Sequence, residues 1–219
     1  MPRRAQPARG VAGVLLAPGA GAGSDQPSLV AIDGRLTAAG FAVERLDFPY
    51  RLAGRRRPDP EAVLERTVAH RAAALASRLR TGSTALVLGG RSMGGRICSQ
   101  VVAHGMPAAG LALVSYPLHP PGRAERSRTS HFPQLHVPCL FLSGTNDAFG
   151  APEELEAATA SIPGPVTHVW LTGGDHGLRR RDEAVADAVA EWIVVTFGAG
   201  PRAAEPPARP RRRGATVPP

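Results

Sequence analysis

The chain lacks the features of several large protein classes. It has only two cysteines, Cys98 and Cys139, which are too few for a disulfide framework. It has no run of about eighteen apolar residues, so we predict no transmembrane helix. Two isolated thiols are typical of a reducing compartment, and we expect a cytoplasmic protein.

Lysine is also absent, and all the strongly basic side chains are arginines. Of the formal net charge of +8, residues 1–10 carry +3 and residues 201–219 carry +4, which leaves +1 for the body of the chain. The high isoelectric point therefore comes from the two ends of the chain and does not indicate a basic binding face. We expect neither nucleic acid nor a membrane as a partner, and the sequence leaves the oligomeric state open.

The 219 residues fit one domain with two appendages. Residues 1–10 form a basic arm and residues 198–219 a tail rich in proline and arginine, and we expect both to be disordered because they have little to bury. Residues 11–197 then form the folded domain. Residues 11–17 follow three arginines as in a signal peptide, but Pro18 and Gly19 interrupt the short apolar run, which favours a strand followed by a loop.

Apolar runs alternate with helical patterns throughout the domain. This alternation predicts an α/β fold, a mainly parallel sheet of about six strands with helices on both faces. The segment 116–138 is short and rich in proline, which predicts a minimal lid. The predicted strands are 13–17, 41–48, 84–88, 110–115, 137–143 and 166–171, and residues 49–59 are predicted as an arginine-rich loop.

The most informative stretch joins a predicted strand to a predicted helix. Gly90-Arg91-Ser92-Met93-Gly94 fits the pattern G-x-S-x-G, in which a serine occupies a sharp strand-to-helix turn. The backbone two residues either side must pass close to neighbouring chain, so glycine is needed there. We predict that Ser92 is a nucleophile.

A serine nucleophile needs a base and a group that orients the base. Asp147 follows the predicted strand 137–143, and His176 follows the predicted strand 166–171. The order Ser, Asp, His is the one expected of α/β-hydrolases, with His176 as general base and Asp147 as the orienting acid. Asp175 is an alternative acid, but as the neighbour of His176 in the chain it is poorly placed to reach that ring.

Further residues are predicted around Ser92. Backbone N–H groups of Met93 and of Ala20, in the glycine-rich loop after the first strand, are the expected oxyanion donors. Gly21, Tyr116 and Arg91 are candidate substrate contacts. Tyr116, with Leu118 and His119, has a second interpretation as a residue that only shapes its loop, and Arg91 has a second interpretation as part of a structural salt bridge. No residues suggest a metal site or a cofactor.

Five stretches together resemble the α/β-hydrolases, and within them the small lidless group related to dienelactone hydrolase, which includes the testis-expressed-protein type and the hydrolase-like domain of a regulatory NSL complex subunit. The resemblance spans residues 11–197 and implies a serine esterase or thioesterase that acts on a small molecule through an acyl-enzyme. Two positions depart from the family. Pro18 replaces the usual histidine. Ser92 stands where dienelactone hydrolase has cysteine, so the substrate of dienelactone hydrolase is not carried over to this chain. The stretches are 15–23, 89–96, 115–122, 142–150 and 174–177.

The sequence leaves two other functions as alternatives. A non-catalytic binding or scaffold module is possible because one fold serves many functions. A dinucleotide-binding protein is suggested by the glycine-rich loop and by Asp47 after the second strand, but Ser24 replaces the third glycine of that fingerprint.

Overall fold

A computed structural model describes residues 10–198 and 200–201. The predicted arm 1–10 and tail 198–219 lie almost entirely outside the described residues. The strands are β1 (Gly13–Ala17), β2 (Ala42–Arg45), β3 (Leu86–Arg91), β4 (Gly110–Val114), β5 (Cys139–Gly144) and β6 (Val166–Leu171). The α-helices are α1 (Pro27–Ala38), α2 (Pro49–Leu52), α3 (Glu61–Arg78), α4 (Met93–Ala103), α5 (Pro152–Thr159) and α6 (Asp182–Phe197).

The six strands form one sheet in the order β2-β1-β3-β4-β5-β6. Every neighbouring pair is parallel, which confirms the predicted parallel sheet. Strands β1, β3, β4 and β5 are buried along their whole length. They read as continuous apolar runs because both faces of a parallel sheet are covered by helices.

Helices cover both faces of the sheet, as the sequence predicted. On one face, side chains of α3, α4 and α5 such as Leu64, Ile97 and Leu155 pack on the sheet. On the other face, Ile32 of α1 and Val189 of α6 belong to a second apolar cluster. This arrangement leaves the carboxyl ends of the strands, at one edge of the sheet, open for chemistry.

The region after β1 and α1 differs from the prediction. The predicted strand 41–48 is paired only over Ala42–Arg45, and the predicted loop 49–59 begins with the short helix α2. Proline at position 49 explains the change, since its fixed φ suits the first turn of a helix and it has no N–H for a sheet. Helix α2 buries Tyr50, whose ring stacks on Phe48.

The connection between β4 and β5 contains a single 3-10 turn, Phe132–Gln134, and no longer helix. This matches the predicted minimal lid. In the described part of the chain, no helix has both the length and the apolar character needed to cross a bilayer.

Candidate active site

Ser92 occupies a strained turn between β3 and α4. Its φ and ψ are 49° and −117°, in a region that L-residues rarely adopt. The Ser92 N–H donates to the carbonyl of Val114 over 2.8 Å, which fixes the turn against β4. Helix α4 begins at Met93, so its unpaired N–H groups and the positive end of its dipole face the space beside the Ser92 hydroxyl.

The glycines on either side of the turn are sterically required. A Cβ on Gly90 would lie 2.1 Å from the carbonyl oxygen of Ala17, and one on Gly94 would lie 2.2 Å from the same oxygen. Both contacts are with backbone, which cannot move aside. The structure therefore agrees with the prediction that glycine is needed at these two positions because neighbouring backbone passes close by.

The structure brings Ser92, His176 and Asp147 together. The Ser92 Oγ lies 2.9 Å from His176 Nε2. His176 Nδ1 lies 2.9 Å from each carboxylate oxygen of Asp147. The side chain of Asp147 is 1% exposed and that of His176 is 23% exposed, so the carboxylate is buried behind a ring that reaches the surface.

Neighbouring groups hold this arrangement in place. Asp147 Oδ1 also accepts the Phe149 N–H over 2.9 Å, and the Phe149 ring stacks on His176 with centroids 4.0 Å apart. The carboxylate of Asp175 lies beside Gly177, whose hypothetical Cβ would be 3.0 Å from Asp175 Oδ1. Asp147, and not Asp175, is thus the acid paired with the histidine ring.

Arg91 joins the turn to the histidine loop. It is 8% exposed, and its guanidinium donates to the backbone carbonyl of His176 over 2.5 Å. A longer contact of 3.4 Å reaches the Ser28 hydroxyl. Burial lowers the pKa of Arg91, whereas the carboxylates of Asp182, Asp147 and Asp175 oppose that change. Arg91 borders the cleft, and its Nη1 and Nη2 groups contact protein. Among the described residues it forms no ion pair, so the salt bridge of the second interpretation is not observed.

The loop after β1 places Ala20 in the same cleft lining as Ser92 and Met93. Its flanking amides are bound: Gly19 N–H donates to Gln26 Oε1 over 3.0 Å, and Gly21 N–H donates to the Tyr50 hydroxyl over 3.2 Å. Among the described residues, the Ala20 and Met93 amides have no hydrogen-bond acceptor. Two fixed, unpaired donors beside a serine suit an oxyanion. The sequence did not reveal Gln26 or Tyr50, since both reach the loop through tertiary contacts.

An open cleft of about 750 Å³ lies over Ser92 and His176. The predicted contacts Tyr116 and Gly21 do not line it. Tyr116 is 1% exposed and donates its hydroxyl to the carbonyl of Arg128, so it shapes its loop, which corrects its assignment to the substrate. Leu118 and His119 are likewise buried. Lining residues include Gly19, Ala20, Gln26, Pro58, Asp59, Glu61, Leu64, Met93, Arg96, Pro117, Arg128, Phe149 and Gly177.

Other reactive groups do not compete for the site. Burial raises the pKa of both Cys98 and Cys139 to about 12, so both thiols remain protonated. Within residues 10–198 and 200–201, no three His, Cys, Asp or Glu side chains are grouped to hold a metal ion. Asp47, the acid that a dinucleotide site would use, instead accepts the N–H and the hydroxyl of Ser24, each over 2.7 Å.

Comparisons with known proteins agree with this fold. The sequence profile of a family described as an alpha/beta hydrolase domain matches residues 10–196. Solved structures with the same fold include an alpha-beta serine hydrolase homologue from Coxiella burnetii, 17% identical over 84% of this chain and 86% of that chain, with a TM-score of 0.67. Dienelactone hydrolase from Anabaena variabilis is 18% identical over 86% and 88%, with a TM-score of 0.68. A monoacylglycerol lipase from Paleococcus ferrophilus is 16% identical over 86% and 97%, with a TM-score of 0.67.

Proposed function

We propose that this chain, which belongs to the alpha/beta hydrolase domain family, is a serine esterase or thioesterase that cleaves a small substrate through an acyl-enzyme. The observation that carries the proposal is the 2.9 Å contact between Ser92 Oγ and His176 Nε2, with Nδ1 held by a buried carboxylate. A serine hydroxyl is a weak nucleophile unless a base removes its proton, and this contact supplies the base.

The acylation step follows from these positions. His176 Nε2 takes the proton of Ser92 as Oγ attacks the carbonyl carbon of the ester or thioester. The oxyanion that forms accepts hydrogen bonds from the Met93 and Ala20 N–H groups. Asp147 stabilises the charged imidazole, which then gives its proton to the departing alcohol or thiol as the bond between the carbonyl carbon and the leaving group breaks.

Deacylation repeats the same chemistry with water. His176 removes a proton from water, the hydroxide attacks the acyl carbon, and Ser92 leaves with the proton returned by the histidine. The carboxylic acid is released and the chain is regenerated. No metal or cofactor enters these steps, and we expect the protein to act on its substrate in the cytoplasm.

Labelling with a fluorophosphonate probe tests the proposal. We expect the wild-type protein to be labelled on Ser92 and to hydrolyse short 4-nitrophenyl esters with a burst of one 4-nitrophenol per chain. Ser92→Ala should abolish both signals, whereas Ser127→Ala, a change of an exposed serine outside the cleft, should keep them. A wild-type protein with neither labelling nor turnover would instead be a binding module on this fold.

A further inference from the structure

The cleft beside Ser92 is bordered by five strongly charged side chains. They are Asp59, Glu61, Arg91, Arg96 and Arg128. Their mutual pairing determines what charge remains to meet a substrate. Arg96 lies four residues after Ser92 on α4, one helical turn away, so this wall is close to the serine.

Most of these charges are already paired. Asp59 forms an ion pair of 2.6 Å with Arg55, and Glu61 forms an ion pair of 2.6 Å with Arg96. Arg91 is bound to the carbonyl of His176. Arg91 is also 8% exposed, so its charge is held within the protein beside the cleft.

Arg128 is the exception. Within residues 10–198 and 200–201, its guanidinium pairs with no carboxylate, and its one hydrogen bond is a long contact of 3.4 Å to the carbonyl of Pro117. The Arg128 N–H donates to the carbonyl of Leu118 over 2.9 Å, and its own carbonyl accepts the buried Tyr116 hydroxyl over 2.6 Å. The backbone is thus fixed while the side-chain donors remain available.

Arg128 lies near one cation, Arg96, and one carboxylate, Glu61. Partial burial and the charge of Arg96 both lower the pKa of Arg128, but an arginine stays protonated at neutral pH. Glu61 is engaged by Arg96, so the guanidinium of Arg128 keeps unused donors in a partly buried wall. A planar guanidinium with unused donors binds carboxylate or phosphate oxygens in pairs.

We propose that Arg128 is a specificity-determining residue that selects substrates carrying an anionic oxyacid group, a carboxylate or a phosphate, in addition to the ester. The substrate spans the cleft with its ester at Ser92 and its anionic group at Arg128, with Arg96 contributing to the positive field. This inference rests on the proposed hydrolase function for its kinetics, but anion binding at Arg128 does not require turnover.

Pairs of esters that differ by one charge test the proposal. We compare mono-4-nitrophenyl glutarate with its methyl ester, and 4-nitrophenyl 4-phosphonobutanoate with its dimethyl phosphonate. In the wild type, kcat/KM should favour the charged member of at least one pair, and the preferred pair identifies the anion. Arg128→Gln should lower that preference at least about tenfold, the range expected for a charged hydrogen bond.

Matched variants distinguish a direct contact between Arg128 and the substrate from a general effect of positive charge. Arg126→Gln removes the same charge from an exposed position of the same loop that does not line the cleft, and it should leave the preference unchanged. Glu61→Gln releases Arg96 from its ion pair and should raise the preference. Equal effects of Arg126→Gln and Arg128→Gln, or no preference in either ester pair, would overturn the proposal.

A binding measurement distinguishes this proposal from the hydrolase proposal. Glutarate and 4-phosphonobutyrate are titrated calorimetrically into Ser92→Ala and into Ser92→Ala combined with Arg128→Gln. Binding of either anion that is lost with Arg128 supports the anion site even if no ester is hydrolysed, which would refute only the hydrolase. Turnover of neutral esters without Arg128-dependent anion binding or preference would refute only the anion site.

Discussion

The guanidinium of Arg91 donates to the backbone carbonyl of His176, residues that are 85 positions apart in the chain. This bond ties the end of β3, which Ser92 directly follows, to the loop after β6, which carries the histidine. Arg91 is buried, and the carboxylates of Asp182, Asp147 and Asp175 partly offset the effect of burial on its charge. The bond fixes the separation between two loops whose side chains must meet within a hydrogen-bond length.

Replacing Arg91 tests this positioning. Arg91→Met should lower kcat at least about tenfold with a smaller change in KM, since a displaced base acts on the reacting atoms and not on substrate affinity. Arg91→Lys should recover part of the loss. The rate of fluorophosphonate labelling provides a second measure, and a normal rate in Arg91→Met would show that the bond does not position His176.

Asp147 and Asp175 offer a direct comparison of two carboxylates near one histidine. Asp147→Asn should lower kcat by about 10⁴, because the amide favours the wrong imidazole tautomer and cannot stabilise the charged ring. Asp175→Asn changes the neighbouring residue in the same way and should have an effect of less than about tenfold. Steady-state kinetics on one neutral ester measures both, and a reversed order would reassign the acid.

Tyr50 provides a test of the loop that carries Ala20. Tyr50→Phe removes the hydroxyl that receives the Gly21 N–H, so the loop should sample other conformations and the oxyanion donor should be less well placed. We expect kcat to fall about tenfold, less than the loss of a whole donor, which costs roughly 3–4 kcal/mol. A change confined to KM would show that the hydroxyl affects substrate binding and not the oxyanion.

His131 should make the folded state sensitive to acid. Burial, with the nearby charge of Arg96, lowers the pKa of His131 from 6.5 to about 4. The unfolded chain therefore binds more protons between these values, and the free energy of unfolding falls as the pH falls through this window. At about 1.36 kcal/mol per unit, the loss between pH 7 and pH 5 is about 2 kcal/mol.

Urea unfolding at the two pH values measures this contribution. His131→Gln keeps a group able to bond with the Ser99 hydroxyl, 2.8 Å from His131 Nε2, and it should reduce the difference between pH 7 and pH 5. His70→Gln, at an exposed position of α3, should leave the difference unchanged. Equal pH dependence in wild type and His131→Gln would contradict the assignment.

The sequence was sufficient to predict the sheet and the meeting of its three chemical groups. Continuous apolar runs marked the strands, and G-x-S-x-G restricted Ser92 to a turn whose flanking glycines face backbone. Asp147 and His176 follow strands β5 and β6, and the carboxyl ends of parallel strands lie at one edge. Their catalytic roles remain predictions that depend on the experiments above.

The contacts that refine the site were not predictable in the same way. Tyr50 reaches Gly21 across 29 positions, and Gln26 reaches back to Gly19 from the start of α1. Such bonds depend on the direction of side chains in irregular segments, which hydrophobic periodicity does not encode. Tyr116 was misassigned for the same reason, since a tyrosine after a strand fits a cleft wall and a buried loop anchor equally well.

The chain between β4 and β5 gives the cleft Pro117 and Arg128, whereas the bonds among Ser92, Asp147 and His176 are made by residues outside it. If Arg128 selects the substrate as proposed, a residue of this connection determines selectivity while residues outside it carry the reaction. Exchange of this connection for a longer one is consequently a route to a redesigned enzyme with a roofed substrate chamber and an unaltered reaction centre.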